Sequence, residues 1–141
     1  MTDFQRTTVR VNGIETVVLE AGSGPTLVFL HGAGTVTGFE FAAPWTKTFR
    51  VIIPYHPGFG PSADDPDITE IHDYVLHYVE LFDVLNLSQI RLVGQSMGGF
   101  IAMKYAIEHD QRPGSVGKAA DGTGRRRTSE LDAIDESDEG P

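Results

Sequence analysis

The sequence predicts an α/β fold with a mostly parallel sheet that opens with an antiparallel hairpin. Three observations support this prediction. Short apolar runs typical of buried strands alternate with helical patterns along the first 110 residues. An Asn12-Gly13 pair, which favours a tight hairpin turn, separates the first two strand-like runs. A Gly-x-Ser-x-Gly turn at residues 94–98 joins an apolar run directly to a helical segment.

The strands follow from local patterns. The hairpin turn separates strands predicted at residues 7–11 and 14–21, and further strands are predicted at 26–30, 50–54 and 90–93. The last three are short and almost entirely apolar, which is typical of parallel strands buried on both faces.

The predicted helices occupy three of the segments between and after these strands. A short helix is predicted over residues 39–45. A longer helix begins at a capping box formed by Asp67 and Glu70, and apolar residues then recur at three- and four-residue steps as far as Leu85. The last helix, over residues 100–108, follows the Gly-x-Ser-x-Gly turn directly.

Composition limits the function classes. A chain of 141 residues predicts one domain, and its net charge of −9 argues against nucleic acid or anionic membrane as a partner. The absence of cysteine excludes a disulfide framework, a thiolate zinc site and a cysteine nucleophile. The N-terminal residues have no signal-peptide core, and no apolar run is long enough for a membrane span. A cytoplasmic protein is therefore expected.

The composition changes near His109. Residues 111–141 contain no aromatic residue, and they carry a basic cluster at 125–127 and an acidic run at 130–139. Such a segment buries too little apolar surface to offset the entropy of ordering it. We therefore predict a folded part over residues 1–110 and a low-complexity, disordered tail over 111–141. We also hypothesise that this tail arises from translation of GC-rich DNA in a shifted reading frame.

Ser96 is the candidate nucleophile. A serine between a strand and a helix lies at the tip of a sharp turn, with its hydroxyl above the sheet edge. Gly94 and Gly98 supply the small residues that such a turn needs against the neighbouring backbone. The helix N-terminus behind the serine offers N–H groups and a positive dipole end to a developing oxyanion.

Together with two other motifs, this turn resembles the nucleophile elbow of the α/β-hydrolase family. The segment His31-Gly32-Ala33-Gly34 follows a strand, as the oxyanion loop of that family does. Residues 57–62, Pro-Gly-Phe-Gly-Pro-Ser, resemble the Pro-Gly-x-Gly-x-Ser loop of the family. The resemblance covers roughly residues 7–110. It implies an incomplete α/β-hydrolase core and a serine hydrolase that acts on an ester-type or carbon–carbon bond substrate.

The resemblance also implies roles for individual residues. The backbone N–H groups of Ala33 and Met97 are expected to form the oxyanion hole, with His31 and Gly32 in supporting roles. A serine at position 96 argues against the haloalkane dehalogenases and epoxide hydrolases, which share the fold but use a carboxylate nucleophile. A small-molecule substrate is expected, with no metal and no organic cofactor.

The general base is the missing part of the predicted site. In the family this base is a histidine held by an Asp or Glu, and both follow the serine in the chain. The only histidine after Ser96 is His109, at the end of the helix that the serine begins. At about 1.5 Å per residue it lies roughly 15–20 Å away, which is too far. The sequence therefore predicts a hydrolase truncated before the acid and the histidine of the triad.

The other polar residues have structural interpretations. His56 is expected to form hydrogen bonds within its own loop, and His72 and His77 are expected on the solvent side of their helix. Tyr55 occupies a position where the family often has an aspartate. The acidic residues at 64–67 are interpreted as a solvated loop.

Two further function classes stay open. One is a catalytically inactive fragment or partner-binding protein, because without later strands the strand before Ser96 becomes an apolar edge that favours self-association or a second chain. The other is a dinucleotide-binding module, since Gly32 to Gly38 follows a strand and reads Gly-x-Gly-x-x-x-Gly. The next strand, however, ends in Pro54-Tyr55-His56, without the acid or arginine that would bind the ribose.

Overall fold

The computed structural model describes residues 3–34 and 38–109. The tail predicted for residues 111–141 lies outside the described residues. The elements in chain order are β1 (Gln5–Val11), β2 (Ile14–Ala21), β3 (Thr26–Leu30), a 3₁₀ helix (Glu40–Lys47), β4 (Arg50–Pro54), α1 (Ile71–Val84), β5 (Arg91–Gly94) and α2 (Met97–His109). The predicted α/β class is confirmed.

The strands of the described residues form one five-stranded mixed sheet in the order β1-β2-β4-β3-β5. The predicted opening hairpin is confirmed: β1 and β2 are antiparallel, and Asn12 and Gly13 turn between them with positive φ angles. β2 also pairs antiparallel with β4, whereas β3 is parallel to both β4 and β5. The carboxyl ends of three parallel strands therefore meet at one edge of the sheet.

Each face of the sheet is covered by its own apolar cluster, because successive side chains of a strand point to opposite faces. In β3, Val28 and Leu30 pack on the face that carries α1 and α2, whereas Leu27 and Phe29 pack on the face of the 3₁₀ helix. These four residues are at most 7% exposed. The parallel strands are thus buried on both faces, as their apolar sequences predict.

The capping box of α1 lies three residues later than predicted. The box pairs Glu70 with Asp73, whose carboxylate accepts the backbone N–H groups of Thr69 at 2.9 Å and Glu70 at 3.2 Å. Asp67 belongs to a preceding turn, in which its N–H donates to the side chain of Asp65. These backbone hydrogen bonds lower the pKa of Asp73 because they stabilise its ionised form.

His77 is buried, and the prediction that it faces solvent is wrong. Its side chain lies beneath the hairpin, where Nε2 is 3.2 Å from Thr16 Oγ1. Helical spacing alone did not show that the hairpin covers this side of α1. His72, on the same helix, is half-buried and lies 3.2 Å from a carboxylate oxygen of Glu108 in α2.

In the part of the chain that the structure describes, no helix has both the length and the apolar character that a bilayer span needs.

Candidate active site

Ser96 lies exposed in the short connection between β5 and α2. Its φ angle is +52°, in the left-handed region that a residue with a Cβ atom rarely adopts. Backbone hydrogen bonds hold this conformation: Gln95 N–H donates to Leu30 O at 3.1 Å, and Phe100 N–H donates to Ser96 O at 3.1 Å. The turn thus presents a serine hydroxyl at the carboxyl edge of the parallel strands, with about 1–2 kcal/mol of backbone strain.

Close backbone contacts explain the two glycines of the turn. A Cβ atom on Gly98 would overlap the Leu30 carbonyl oxygen and lie 2.7 Å from His31 O. A Cβ atom on Gly94 would overlap Gly98 O and lie 2.7 Å from the Cα atom of Gly99. Because these neighbours are backbone atoms, they cannot move aside cheaply, and only glycine allows α2 to start this close to β3.

Of the two backbone N–H groups predicted to form an oxyanion hole, one is in this turn and the other is in the loop after β3. Met97 is the first residue of α2, so its N–H has no acceptor within the helix. Ala33 is exposed in the loop after β3, and within residues 3–34 and 38–109 its N–H makes no hydrogen bond. The pairing of Leu30 with Gly94 places the ends of β3 and β5 side by side. The loop and the turn therefore start from adjacent strand ends.

The His31 side chain braces the loop from inside the protein. It is fully buried, with Nδ1 2.7 Å from Gly32 O and Nε2 3.0 Å from the backbone N of His56. Because Nε2 accepts an N–H, the ring proton must be on Nδ1, which donates to the Gly32 carbonyl. Burial lowers the pKa of His31, so the ring is neutral at pH 7.

The backbone of His56 forms a hydrogen bond within its own loop, from Phe59 N–H to His56 O at 2.9 Å, but its side chain forms hydrogen bonds outside the loop. Its Nε2 is 2.7 Å from His31 O, and its Nδ1 is 2.5 Å from the hydroxyl of Tyr78 in α1. The two imidazole rings are in contact, with their centroids 3.7 Å apart and their planes tilted by 34°. Burial, with a contribution from His31, lowers the pKa of His56 to about 3. Sequence reasoning missed this network because it depends on the adjacency of β3 and β4.

None of the five histidines is positioned to act as a general base for Ser96. The ring nitrogens of His31 and His56 are all engaged in hydrogen bonds, while His72 and His77 bind residues elsewhere. His109 is the last residue of α2, about 18 Å from the start of the helix. The described residues therefore contain no histidine base for the serine.

Gln95 is a polar residue of the turn that sequence reasoning did not single out. Its side-chain Oε1 is buried and has no hydrogen-bond partner among the described residues. An unsatisfied buried acceptor of this kind costs about 1–3 kcal/mol. Only its position next to Ser96 in the motif could have drawn attention to it.

Two other kinds of ligand site, for a metal ion and for a dinucleotide, gain no support from the described residues. No group of three or more His, Asp or Glu residues in the described ranges could hold a metal ion. The glycine pattern from Gly32 to Gly38 includes residues 35–37, which lie outside the described residues. After β4, His56 is buried in the network with His31 and Tyr78, so it is not available to bind a ribose.

The fold and the site together define a class: α/β proteins in which a strand–turn–helix unit presents a serine at the carboxyl edge of parallel strands. A sequence model of the α/β hydrolase fold matches residues 25–119. The chain therefore belongs to the α/β hydrolase fold family, and the predicted family resemblance is confirmed.

Individual relatives agree with this assignment. The chain is 38% identical over 108 residues to 2-hydroxymuconate semialdehyde hydrolase of Pseudomonas sp. (strain CF600), covering 71% of this chain and 38% of the relative. A solved E-2-(acetamidomethylene)succinate hydrolase superposes with a TM-score of 0.75 and 25% identity, over 89% of this chain and 47% of that one. A membrane phospholipase A superposes with a TM-score of 0.72 and 30% identity, over 77% and 37%. The chain thus spans less than half the length of each.

Proposed function

We propose that this chain carries the nucleophile and the oxyanion hole of a serine hydrolase of the α/β-hydrolase type. In this proposal Ser96 attacks a carbonyl carbon, and the N–H groups of Ala33 and Met97 stabilise the resulting oxyanion. The observation that carries the proposal is the exposed Ser96 at φ +52°, held between β5 and the N-terminus of α2. This conformation is costly for a non-glycine residue, and such strain is concentrated at functional sites.

The proposed chemistry is acyl transfer through the serine. The bond from Oγ to the carbonyl carbon forms as the serine proton passes to a base, and collapse of the tetrahedral intermediate expels the leaving group. Water then releases the acyl group from Oγ. None of the five histidines of the chain lies beside Ser96, so we propose that a second chain supplies the base. A positioned base raises the reaction rate by about 10²–10⁴-fold, so turnover without one is expected to be slow.

The nature of the nucleophile and the relatives support an ester-type or carbon–carbon bond substrate. A serine, and not a carboxylate, occupies the turn. The names of two similar proteins, 2-hydroxymuconate semialdehyde hydrolase and E-2-(acetamidomethylene)succinate hydrolase, support a small-molecule substrate here. The cytoplasmic location and the absence of a cofactor stay predictions.

Hydrolysis of an activated ester tests the proposal. We expect p-nitrophenyl acetate to be hydrolysed faster by the parent chain than by Ser96→Ala. Ser88→Ala is the matched control, because Ser88 is also exposed but lies before β5, away from the turn. This control should hydrolyse the ester at the parent rate. Equal rates for the parent and Ser96→Ala would refute the nucleophile assignment.

A catalytically inactive, partner-binding protein is the second candidate, and the sheet edge favours it. β5 is the last strand of the described sheet, and its other neighbour is missing there. On α2, Phe100 and Ile107 are 47% and 60% exposed and line an apolar groove with Ile71 of α1. Exposed edges and apolar patches favour self-association or a second chain. Sedimentation velocity would test this: a monomer at all concentrations argues against self-association.

A further inference from the structure

The direction of the Ala33 N–H is set by the peptide group to which it belongs. The Gly32 carbonyl and the Ala33 N–H are parts of one planar trans peptide unit, in which C=O and N–H point in opposite directions. The His31 Nδ1–H group holds the Gly32 oxygen at 2.7 Å inside the protein. Fixing the carbonyl inward therefore fixes the N–H outward.

His31 can hold this carbonyl only when its proton is on Nδ1. The backbone N–H of His56, 3.0 Å from His31 Nε2, imposes that tautomer because it requires Nε2 to be an acceptor. With the opposite tautomer, Nδ1 would face the Gly32 oxygen as a second acceptor, and the two would repel each other. The orientation of the peptide thus depends on residue 56.

The His56 side chain holds the preceding peptide unit by the same logic. Its Nε2–H donates to His31 O at 2.7 Å, which is also the oxygen 2.7 Å from the position that a Cβ on Gly98 would occupy. For Nε2 to carry the proton, Nδ1 must accept, and the Tyr78 hydroxyl donates to it at 2.5 Å. Tyr78 is fully buried in α1 and has no exposure to water. A chain of neutral hydrogen bonds therefore leads from α1 to the loop.

We propose that His56 and Tyr78 are positioning residues, which act through His31 to hold the Ala33 N–H in the orientation that an oxyanion hole requires. The proposal rests on the proposed function of Ala33 as an oxyanion donor. Burial alone does not require this arrangement, because apolar side chains would fill the same space without needing partners. Instead, both donors of His56, its backbone N–H and its Nε2–H, end on a single residue of the loop, His31.

Three substitutions separate positioning from packing. Tyr78→Phe removes only the hydroxyl. His56→Gln keeps an amide that can donate to His31 O, whereas His56→Met has a similar length and no donor. Val75→Ala is the packing control, because Val75 is buried in the same helix without a hydrogen bond to either histidine. All are made in the full chain, and circular dichroism checks that each variant folds.

The first readout is the tautomeric state of the histidines, measured by long-range ¹H–¹⁵N spectra of the imidazole rings. In the parent chain and in Val75→Ala we expect His31 as the Nδ1–H tautomer and His56 as the Nε2–H tautomer. In Tyr78→Phe, His56 should become a mixture of tautomers. In His56→Met, the Gly32 and Ala33 amide resonances should broaden or shift, whereas His56→Gln should restore them.

The second readout is the Ser96-dependent hydrolysis of p-nitrophenyl acetate. Removing one oxyanion donor typically lowers kcat by about 10²–10³-fold. A donor that is present but misoriented should therefore lower kcat by about 10-fold and change KM by less than about twofold. We expect this loss in Tyr78→Phe and His56→Met, partial rescue in His56→Gln, and none in Val75→Ala. Parent-like kcat in Tyr78→Phe and His56→Met would overturn the inference.

The two readouts also separate this inference from the proposed function. If Ser96→Ala hydrolyses the ester as fast as the parent chain, the proposed function fails. The spectra are then the only test of the positioning role of His56 and Tyr78. Unchanged tautomers in Tyr78→Phe, together with unchanged loop amides in His56→Met, would then overturn the positioning role. If the spectra change as expected, His56 and Tyr78 orient the loop even though the serine is idle.

Discussion

Acid should destabilise this fold through His77, because burial disfavours the charged form of its imidazole. The side chain is only 6% exposed, and its Nε2 lies 3.2 Å from Thr16 Oγ1. Burial lowers the pKa of His77 to about 4, and the Asp65 carboxylate opposes this only partly. In the unfolded chain the same imidazole has a pKa of about 6.5.

The sign and the size of the effect follow from proton linkage. Between pH 6.5 and about 4 the unfolded chain binds a proton at His77 that the folded chain does not, so the free energy of unfolding falls as the pH falls. At about 1.4 kcal/mol for each pKa unit, His77 accounts for a loss of roughly 3 kcal/mol across this window. His56, with a pKa of about 3, adds a parallel loss over the same range.

The assay is urea unfolding at pH values from 7.5 to 4.5, followed by the fluorescence of Trp45, the only tryptophan. The matched variant is His77→Gln, whose amide N–H can still donate to Thr16 but does not titrate. We expect the parent stability to fall by up to about 3 kcal/mol per pH unit near pH 5, and that of His77→Gln by about half as much.

Equal slopes for the two chains would refute this reasoning. So would a pKa of His77 near 6.5, measured from its imidazole resonances in the folded protein. Either result would mean that the hairpin does not exclude water from His77. The loss of stability below pH 3.8 has a different origin. The ionised Asp73 carboxylate stabilises the fold, and because its pKa is lowered, this stabilisation is present above pH 3.8 and is lost as the pH falls below that value.

Two other predictions concern stability. Gly98→Ala should lower the free energy of unfolding by at least about 1–3 kcal/mol in urea titrations, because its Cβ would overlap the Leu30 carbonyl. Gly34→Ala, whose Cβ would meet no atom of the described residues within 4 Å, should change it by less than about 0.5 kcal/mol. Equal costs would contradict the steric argument. Glu20→Gln should cost about 0.5 kcal/mol by removing the half-exposed ion pair with Arg50, and the difference should shrink in 1 M salt. A salt-independent difference would point to packing instead.

Much of the fold could be predicted because its signals are local. The Asn12-Gly13 turn, the apolar strands and the Gly-x-Ser-x-Gly turn each specify a conformation through a few neighbouring residues. The start of α1 was ambiguous for the same reason. Two pairs of acidic residues have the same spacing, Asp67 with Glu70 and Glu70 with Asp73. Only the turn that holds Asp67 shows that the second pair forms the capping box of α1.

The candidate site was predictable only where it is formed by one segment. Ser96 and its glycines are contiguous, whereas the histidine network joins two loops 25 residues apart and a tyrosine from α1. Its formation depends on β4 lying between β2 and β3, and sheet order is not encoded in any single motif. His77 was misplaced for a similar reason, since the hairpin that covers it lies 61 residues away in the sequence.

Contacts that are distant in the chain help to hold the strained turn at Ser96, in addition to its local hydrogen bonds. β5 is tied to β3, pairing Leu27 with Arg91, and the Gly98 backbone rests against the end of that same strand. Pairing β3 with β5 closes a long loop, and the entropic cost of closing it must be offset by the contacts that this pairing makes. When β3 and β5 are apart, the contacts with the end of β3 no longer hold residue 96 in its left-handed conformation. The left-handed conformation of residue 96 therefore depends on the tertiary structure as well as on the sequence of the turn.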